Sequence, residues 1–214
     1  MAEILTSLET RIDPAYTALL VVDMQNDFCA EGGYIHRAFR CDMNGSAGLA
    51  RSIMRLAGHA RRKGVPVVWI AANYDPEKVA EPFLARRAQA GIDAVCCAGG
   101  AWGSEFFMVE PAPGEPVVVK HRYDAFFATG LDVMLRERGV RTAIVTGVST
   151  NACIDATVKG AFFHGFYAVV PSDCVGSHRR DMHDATLTNI AALFGDVTTV
   201  DEIARAWGCG TGSD

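Results

Sequence analysis

Three residues of this chain have side chains whose chemistries complement one another: Asp23, Lys120 and Cys153. Asp23 closes the apolar run Thr17 to Val22, and Lys120 closes the short run Val117 to Lys120. Cys153 follows the run Ala143 to Val145, after Gly147 and the small polar residues Ser149 and Thr150. A thiolate is a nucleophile. A carboxylate can take the thiol proton and later pass it to a departing amine. An ammonium beside them holds the carboxylate and favours negative charge on thiolate and oxyanion. Downstream of Cys153, Ile154, Ala156, Val158, Ala161 and Phe162 are spaced as one helix face. Cys153 is therefore expected at a helix N-terminus, where the dipole and unpaired N–H groups lower a thiol pKa. Taken singly, each residue has an ordinary reading: a turn-capping Asp, a solvated Lys, and a Cys that packs as a small hydrophobe. Their joint placement at three strand ends points to a site. Ser149 is a rival nucleophile, but the elbow motif G-x-S-x-G needs Gly at 151, which is Asn.

The elements that must position these residues alternate between strand and helix patterns. Thr17 to Val22 reads as a buried central strand. Residues 24–40 carry Gly32-Gly33 and no clean period, so they read as a loop. Leu49, Ile53, Leu56, Ala57 and Ala60 form a helical face, closed by Arg61-Arg62-Lys63-Gly64. Val67 to Ala71 is a second strand. Residues 73–116 form the least regular part, with most of the prolines, and read as a lid over the strand ends with a short helix at Glu81 to Gln89. Val117 to Lys120 is a third strand, and Thr129-Gly130-Leu131-Asp132 resembles a capping box opening a helix to Arg138. After the Cys153 unit come a strand at Phe166 to Val170, a helix at Asp181 to Leu193, a strand at Val197 to Thr199 and a closing helix at Asp201 to Trp207. The alternation predicts a single α/β domain over residues 1–214: a doubly wound, six-stranded, mostly parallel sheet with helices on both faces and a Rossmann-like order. In such a sheet Asp23, Lys120 and Cys153 share one edge, near the switch in strand order.

Composition narrows the function classes. Half of the 214 residues are hydrophobic, ample for one core, and the formal charge of −5 gives no reason to expect nucleic acid or an anionic membrane. The first residues carry Glu3, Glu9 and Asp13 and no apolar signal core, so no secretion signal is expected. No apolar run has the length of a membrane span. Seven cysteines without a CxxC, two of them adjacent at Cys96-Cys97, suit a reduced cytoplasmic protein rather than a disulfide or zinc framework. The turn after the first strand, Asp23-Met24-Gln25-Asn26, is not a Gly-rich phosphate loop, which argues against a nucleotide-binding protein.

The block Leu20-Val21-Val22-Asp23-Met24-Gln25-Asn26-Asp27-Phe28, then Lys120, then Gly147-Val148-Ser149-Thr150-Asn151-Ala152-Cys153 resembles the three signature blocks of the isochorismatase-like cysteine hydrolases. The resemblance implies an Asp23–Lys120–Cys153 triad and a cis peptide between Val148 and Ser149. It also implies an oxyanion hole from the N–H groups of Ser149 and Cys153, and a homodimer or homotetramer; the aromatic Phe162-Phe163 and Trp207 segments suit an interface or, equally well, core packing. Nicotinamidases of this family hold a metal with an Asp and closely spaced His residues after the second strand. Here that region is Ile70 to Glu77, without histidine, and Asp75 alone makes no site. No metal and no cofactor are therefore expected. A closer similarity is to the ureidoacrylate amidohydrolases and the carbamoyl-cleaving enzymes acting on biuret and N-carbamoylsarcosine. It rests on Gly32-Gly33-Tyr34, Asn73, Glu81, and Lys120-His121-Arg122-Tyr123 with Phe126-Phe127. By that similarity Asn73, Glu81 and Tyr123 fall at ureido-recognising positions, with Phe28 and Trp102 as candidate pocket walls. Arg122 and the pair Arg86-Arg87 are candidate carboxylate binders, or simply solvated cations. The expected substrate is a small ureido or carbamoyl compound, cleaved with water and ammonia release. An isochorismatase, a nicotinamidase- or maleamate-type amidase, and a non-hydrolytic small-molecule binder are the alternatives.

Overall fold

In the computed structural model, which describes residues 4–210 apart from Ala90 and Ile92, the chain forms seven strands and nine α-helices among the described residues. The strands are β1 (Thr17–Val22), β2 (Val67–Ala72), β3 (Val117–Lys120), β4 (Thr142–Val148), β5 (Tyr167–Pro171), β6 (Val175–Gly176) and β7 (Asp196–Thr198). The helices are α1 (Leu8–Arg11), α2 (Asn26–Cys29), α3 (Tyr34–Phe39), α4 (Ser46–Arg62), α5 (Glu81–Gln89), α6 (Leu131–Glu137), α7 (Asp155–Phe163), α8 (Arg180–Leu193) and α9 (Val200–Ala206). The expected Glu3 lies outside the described residues. No described helix is long and apolar enough to cross a membrane.

All the strand pairs are parallel, in the order β3-β2-β1-β4-β5-β7, with β6 paired to the end of β4. The chain runs outward from β1 through β2 to β3, then returns to lay β4 against the other side of β1. The switch in strand order therefore falls between β1 and β4, where α/β sheets open a crevice. The two central strands are buried along their whole length, as a sheet covered on both faces requires. Alternate residues feed two separate cores. Leu19, Val21, Val67, Trp69 and Ile144 pack under α4 and α9. Leu20, Val22, Val68, Ile70, Ala143 and Val145 pack under α6, α7 and α8. A third cluster, Tyr34, Ile35, Ala72, Tyr74, Cys96 and Cys97, caps the strand ends.

Three sequence expectations are corrected. The sheet has a seventh strand, because Val175–Gly176 extends β4 where β5 diverges; two residues are too short to show a period. Residues 24–40 hold α2 and α3 rather than a loop. Both are short and are tied by tertiary bonds: Asp27 accepts from Tyr34 N at 2.9 Å and from Cys97 N at 2.7 Å. No capping box forms at Thr129. The cap of α6 is Gly130 in the left-handed region, and Thr129 Oγ1 instead accepts from Leu131 N at 3.2 Å. Of the two readings of Trp207 the core one holds, with Nε1 donating to the Ile12 carbonyl at 2.6 Å. Phe163 and Leu193, by contrast, are exposed beside the Phe162–Phe194 ring contact.

One glycine is demanded by the packing of the central strands. Gly147 has φ +113°, and a Cβ there would lie 1.9 Å from the Val22 carbonyl oxygen. Only glycine lets β4 turn this close to the end of β1.

Candidate active site

The ends of β1, β3 and β4 deliver the three chemical groups to one buried point. Asp23 follows β1 with φ 55°, Lys120 is the last residue of β3, and Cys153 lies in the π-helical turn Thr150–Ile154 that leads into α7. The peptide between Val148 and Ser149 is cis. Lys120 Nζ lies 2.8 Å from Asp23 Oδ2 and 3.4 Å from Cys153 Sγ. Asp23 and Lys120 are wholly buried, and Cys153 is 4 % exposed. Lys120 is further held by donating to the Arg122 carbonyl at 3.0 Å and to Tyr74 Oη at 3.1 Å. The Asp23 carboxylate faces Lys120 Nζ, the Cys153 thiol and the Ala72 N–H.

The electrostatics correct the sequence expectation about the thiol. Burial, and after it the negative charge of Asp23, push the Cys153 pKa up to about 12, with Lys120 only partly offsetting the two. The helix-terminus effect is outweighed because the thiol sits in a dry pocket beside a carboxylate. Burial also raises the Asp23 carboxyl above its usual range, against the pull of Lys120. Burial opposes the Lys120 charge, yet Asp23 and Cys153 together hold its pKa above the ordinary lysine value. Burial thus favours a neutral Cys153 thiol beside the buried Asp23–Lys120 pair.

Above Cys153 opens a cavity of about 350 Å³, lined by Phe28, Tyr74, Phe83, Tyr123, Ser149 and Cys153 among others. Of the sequence candidates, Phe28, Tyr123 and Ser149 reach this cavity. Asn73, Glu81 and Trp102 do not. Asn73 Oδ1 accepts from Asp75 N at 3.0 Å and caps a turn. Glu81 is the exposed first residue of α5, whose inward face is Phe83, Arg86 and Arg87, spaced three and four apart. Trp102 is half-exposed, and its carbonyl accepts from Asn26 Nδ2 at 2.9 Å. Arg122 is likewise committed, donating to the carbonyls of Lys78 and His121 and lying over the Phe127 ring.

Sequence reasoning missed Tyr74. Its hydroxyl lies 3.7 Å from Cys153 Sγ and accepts from Lys120, and burial holds its pKa well above the ordinary phenol value. Strand parity carried the signal: Ala72 pairs with Lys120, and Tyr74 is the next residue on that side, whereas Asn73 points the other way. Gln25 was also passed over. Buried behind the site, it accepts from Ala72 N at 2.8 Å and donates to the Ala72 and Ser104 carbonyls, tying the ends of β1 and β2 to the 73–116 segment.

Asp27, Cys96 and Cys97 bring potential metal-ligand atoms within 4.8 Å of one another. Both oxygens of Asp27 already accept backbone N–H groups, and the two sulfurs contact each other at 3.8 Å. Asp75, bonded to Lys78 and to Gly99 N, belongs to no such group among the described residues.

This architecture agrees with comparison to known proteins. The isochorismatase domain matches residues 17–202, and the chain belongs to the isochorismatase family. Among its relatives, the ureidoacrylate amidohydrolase RutB of Methylobacterium radiotolerans is 33% identical over 215 residues, covering 92% of this chain and 81% of that protein. Among solved structures, a cysteine hydrolase from Pseudomonas syringae pv. phaseolicola superposes with a TM-score of 0.81 at 26% identity, covering 97% of this chain and 99% of that one. An isochorismatase-like hydrolase from Alkaliphilus metalliredigens gives 0.74 at 28% identity, over 91% and 98%.

Proposed function

We propose that this protein is a cysteine-dependent amidohydrolase that cleaves the terminal C–N bond of a small ureido or carbamoyl compound and releases ammonia. That it is a hydrolase acting on amide C–N bonds follows from its family and from relatives named amidohydrolases. The nucleophile, the mechanism and the substrate are the proposal. The observation that carries it is the meeting of Cys153, which lines the cavity, with Lys120 Nζ and, through it, the Asp23 carboxylate buried behind.

In this reading Asp23 takes the thiol proton as Sγ bonds to the ureido carbonyl carbon. Lys120 keeps its charge and balances whichever of the two neighbours is negative, so proton transfer costs little net charge separation. The N–H groups of Ser149 and Cys153 receive the oxyanion. Loss of one such donor lowers turnover by about 10²–10³. Asp23 returns its proton to the departing ammonia, leaving a thiocarbamate on Cys153. Water, deprotonated by Asp23, then frees a carbamate, which decomposes to CO2 and an amine. Tyr123 and Phe28 form the cavity wall around the ureido group. The proposal includes a single domain in which residues 73–116 cover the site, cytoplasmic function, and a homo-oligomer with contact surface at Phe162, Phe163 and Leu193.

The test is ammonia release from ureidoacrylate, biuret, triuret, N-carbamoylsarcosine and nicotinamide, with and without chelator, beside Cys153→Ala. Chelator-insensitive release from a ureido compound, lost in the variant, supports the proposal. Silence on every ureido compound, with turnover of nicotinamide, refutes it.

A further inference from the structure

The adjacent pair Cys96-Cys97 has no part in the chemistry above, yet it stands at the wall of the same cavity. Cys96, though nearly buried, lines the cavity over Cys153. A charge on its sulfur would be felt by the hydroxyls of Tyr34, Tyr74 and Tyr123, which line that cavity too. Cys97 lies behind it, wholly buried, with the two Sγ atoms 3.8 Å apart. The Cys97 thiol also contacts the Gly103 carbonyl at 3.8 Å. The thiols are thus stacked inward from the cavity, an outer sulfur that meets small solutes and an inner one that meets the outer. The contact with Cys96, and after it burial, hold the Cys97 thiol above its ordinary pKa, so Cys97 is not the first of the two to react.

The backbone couples this pair to the rest of the wall. Cys97 has φ 51°, in the left-handed region that non-glycine residues enter at a cost and that collects at functional sites. Its N–H donates to Asp27 Oδ2 at 2.7 Å, and Asp27 Oδ1 accepts from Tyr34 N at 2.9 Å. A shift at Cys97 therefore passes through Asp27 to Tyr34. A disulfide needs its sulfurs at about 2.05 Å, so the pair closes by moving together about 1.7 Å. Neighbouring Cα atoms stand about 3.8 Å apart, short of the usual span of about 4.4–6.8 Å across a disulfide. A bond between them is strained and readily reduced, which marks a reversible device rather than a structural staple.

We propose that Cys96 and Cys97 form a peroxide-responsive pair, closing as a vicinal disulfide in the wall of the catalytic cavity and slowing turnover until a dithiol reopens it. Cys96 Sγ attacks one oxygen of hydrogen peroxide; the O–O bond breaks, and the thiol proton leaves with the hydroxide as water. The resulting sulfenic acid is attacked by Cys97 Sγ; the S–O bond breaks, and the Cys97 proton leaves with the hydroxide as a second water. The two thiols give up two electrons and two protons, and the peroxide is reduced to two waters. Closure displaces Cys96 and, through Asp27, Tyr34. A misplacement of about 1 Å around a reacting centre costs up to about a hundredfold in rate. The effect on turnover rests on the amidohydrolase reading above; the bond itself does not.

The test treats the wild type with a small molar excess of hydrogen peroxide, then denatures it, alkylates it with iodoacetamide and digests it with trypsin. The fragment 88–120 contains Cys96 and Cys97 and no other cysteine. It is expected to lose the mass of two hydrogens and to take up no alkyl group, while the Cys153 fragment is still alkylated. Turnover of ureidoacrylate falls in parallel by about tenfold or more, and dithiothreitol restores both. In Cys97→Ser the sulfenic acid has no partner and goes on to sulfinic acid, so dithiothreitol no longer restores turnover. Oxidation of Cys153 with the fragment 88–120 still alkylated, or a cross-link between Cys96 and Cys153, overturns the proposal. Formation of the vicinal bond with turnover unchanged overturns its control of the site and leaves the proposed function standing. If no ureido compound is turned over, the proposed function fails, and the mass of the wild-type fragment alone decides the bond: loss of two hydrogens supports it, and two alkyl groups overturn it.

Discussion

Asp23→Asn separates two quantities that ordinarily move together, thiol reactivity and turnover. In the resting site Cys153 is protonated because its thiolate would be a second anion beside Asp23, sharing one ammonium in a dry pocket. Carboxylate and sulfur both contact Lys120 Nζ, so their charges would stand about 5 Å apart; at an effective dielectric of about 20 the repulsion is about 3 kcal/mol, or between two and three pKa units. Asparagine has nearly the same shape and removes that repulsion, while Lys120 remains 3.4 Å from the sulfur. The thiolate fraction near neutral pH rises by about two orders of magnitude, and the lower intrinsic nucleophilicity of a less basic thiolate reduces the net gain in alkylation to about tenfold to thirtyfold. Turnover falls by about 10²–10⁴, because the proton acceptor is gone. The assay is iodoacetamide labelling at about pH 8, read on the Cys153 peptide by mass spectrometry, with partly exposed Cys41 and Cys209 as internal references. The variant breaks a buried ion pair at a cost of about 3–5 kcal/mol, so a denaturant titration first establishes the conditions in which it is folded. Labelling slower than or equal to the wild type would refute the assignment of Asp23 as the group that keeps the thiol protonated.

Other outcomes follow from the same structure. Tyr74→Phe removes the acceptor of a buried hydrogen bond donated by the Lys120 ammonium beside the sulfur, so kcat is expected to fall by about tenfold and stability by about 1.5–3 kcal/mol in urea unfolding. Gly147→Ala drives a methyl group against the Val22 carbonyl and is expected to cost more than about 3 kcal/mol in urea unfolding, through steric clash and positive-φ strain. Glu115 bonds Arg61, Trp69 Nε1 and Ala112 N; burial raises its carboxyl pKa, but those donors together hold it below the ordinary glutamate value. A carboxyl with a depressed folded pKa stabilises above the unfolded pKa and loses that contribution as pH falls through the folded one. Glu115→Gln is therefore expected to cost about 1–3 kcal/mol at neutral pH and progressively less in acid below about pH 4, measured by urea titration at each pH.

The order of most elements, and the place of Asp23 and Cys153 at the ends of central strands, were legible in the sequence because they depend on long apolar runs. β1 and β4 are buried throughout and read as continuous hydrophobic stretches, and the polar residue that ends such a run stands out. α4 and α9 were legible through the 3.6-residue spacing of Ile53, Leu56, Ala57, Ala60, Val200 and Ile203. What was lost depends on tertiary contacts. α2 and α3 are four and six residues long and are tied by the Asp27 carboxylate to backbone far along the chain. The cavity-facing residue after β2 was expected by similarity to be Asn73, whereas Tyr74, next on the side of Ala72, lines the cavity. The thiol's pKa was misjudged because a helix terminus is visible in sequence and desolvation is not.

The most direct test of the central claim is a rapid acid quench during turnover of ureidoacrylate, followed by mass spectrometry of the Cys153 peptide. A transient adduct of substrate mass less ammonia, confined to Cys153 and lost in Cys153→Ala together with turnover, is the result this account predicts. An adduct on Ser149, or ammonia release that persists in Cys153→Ala, would contradict it.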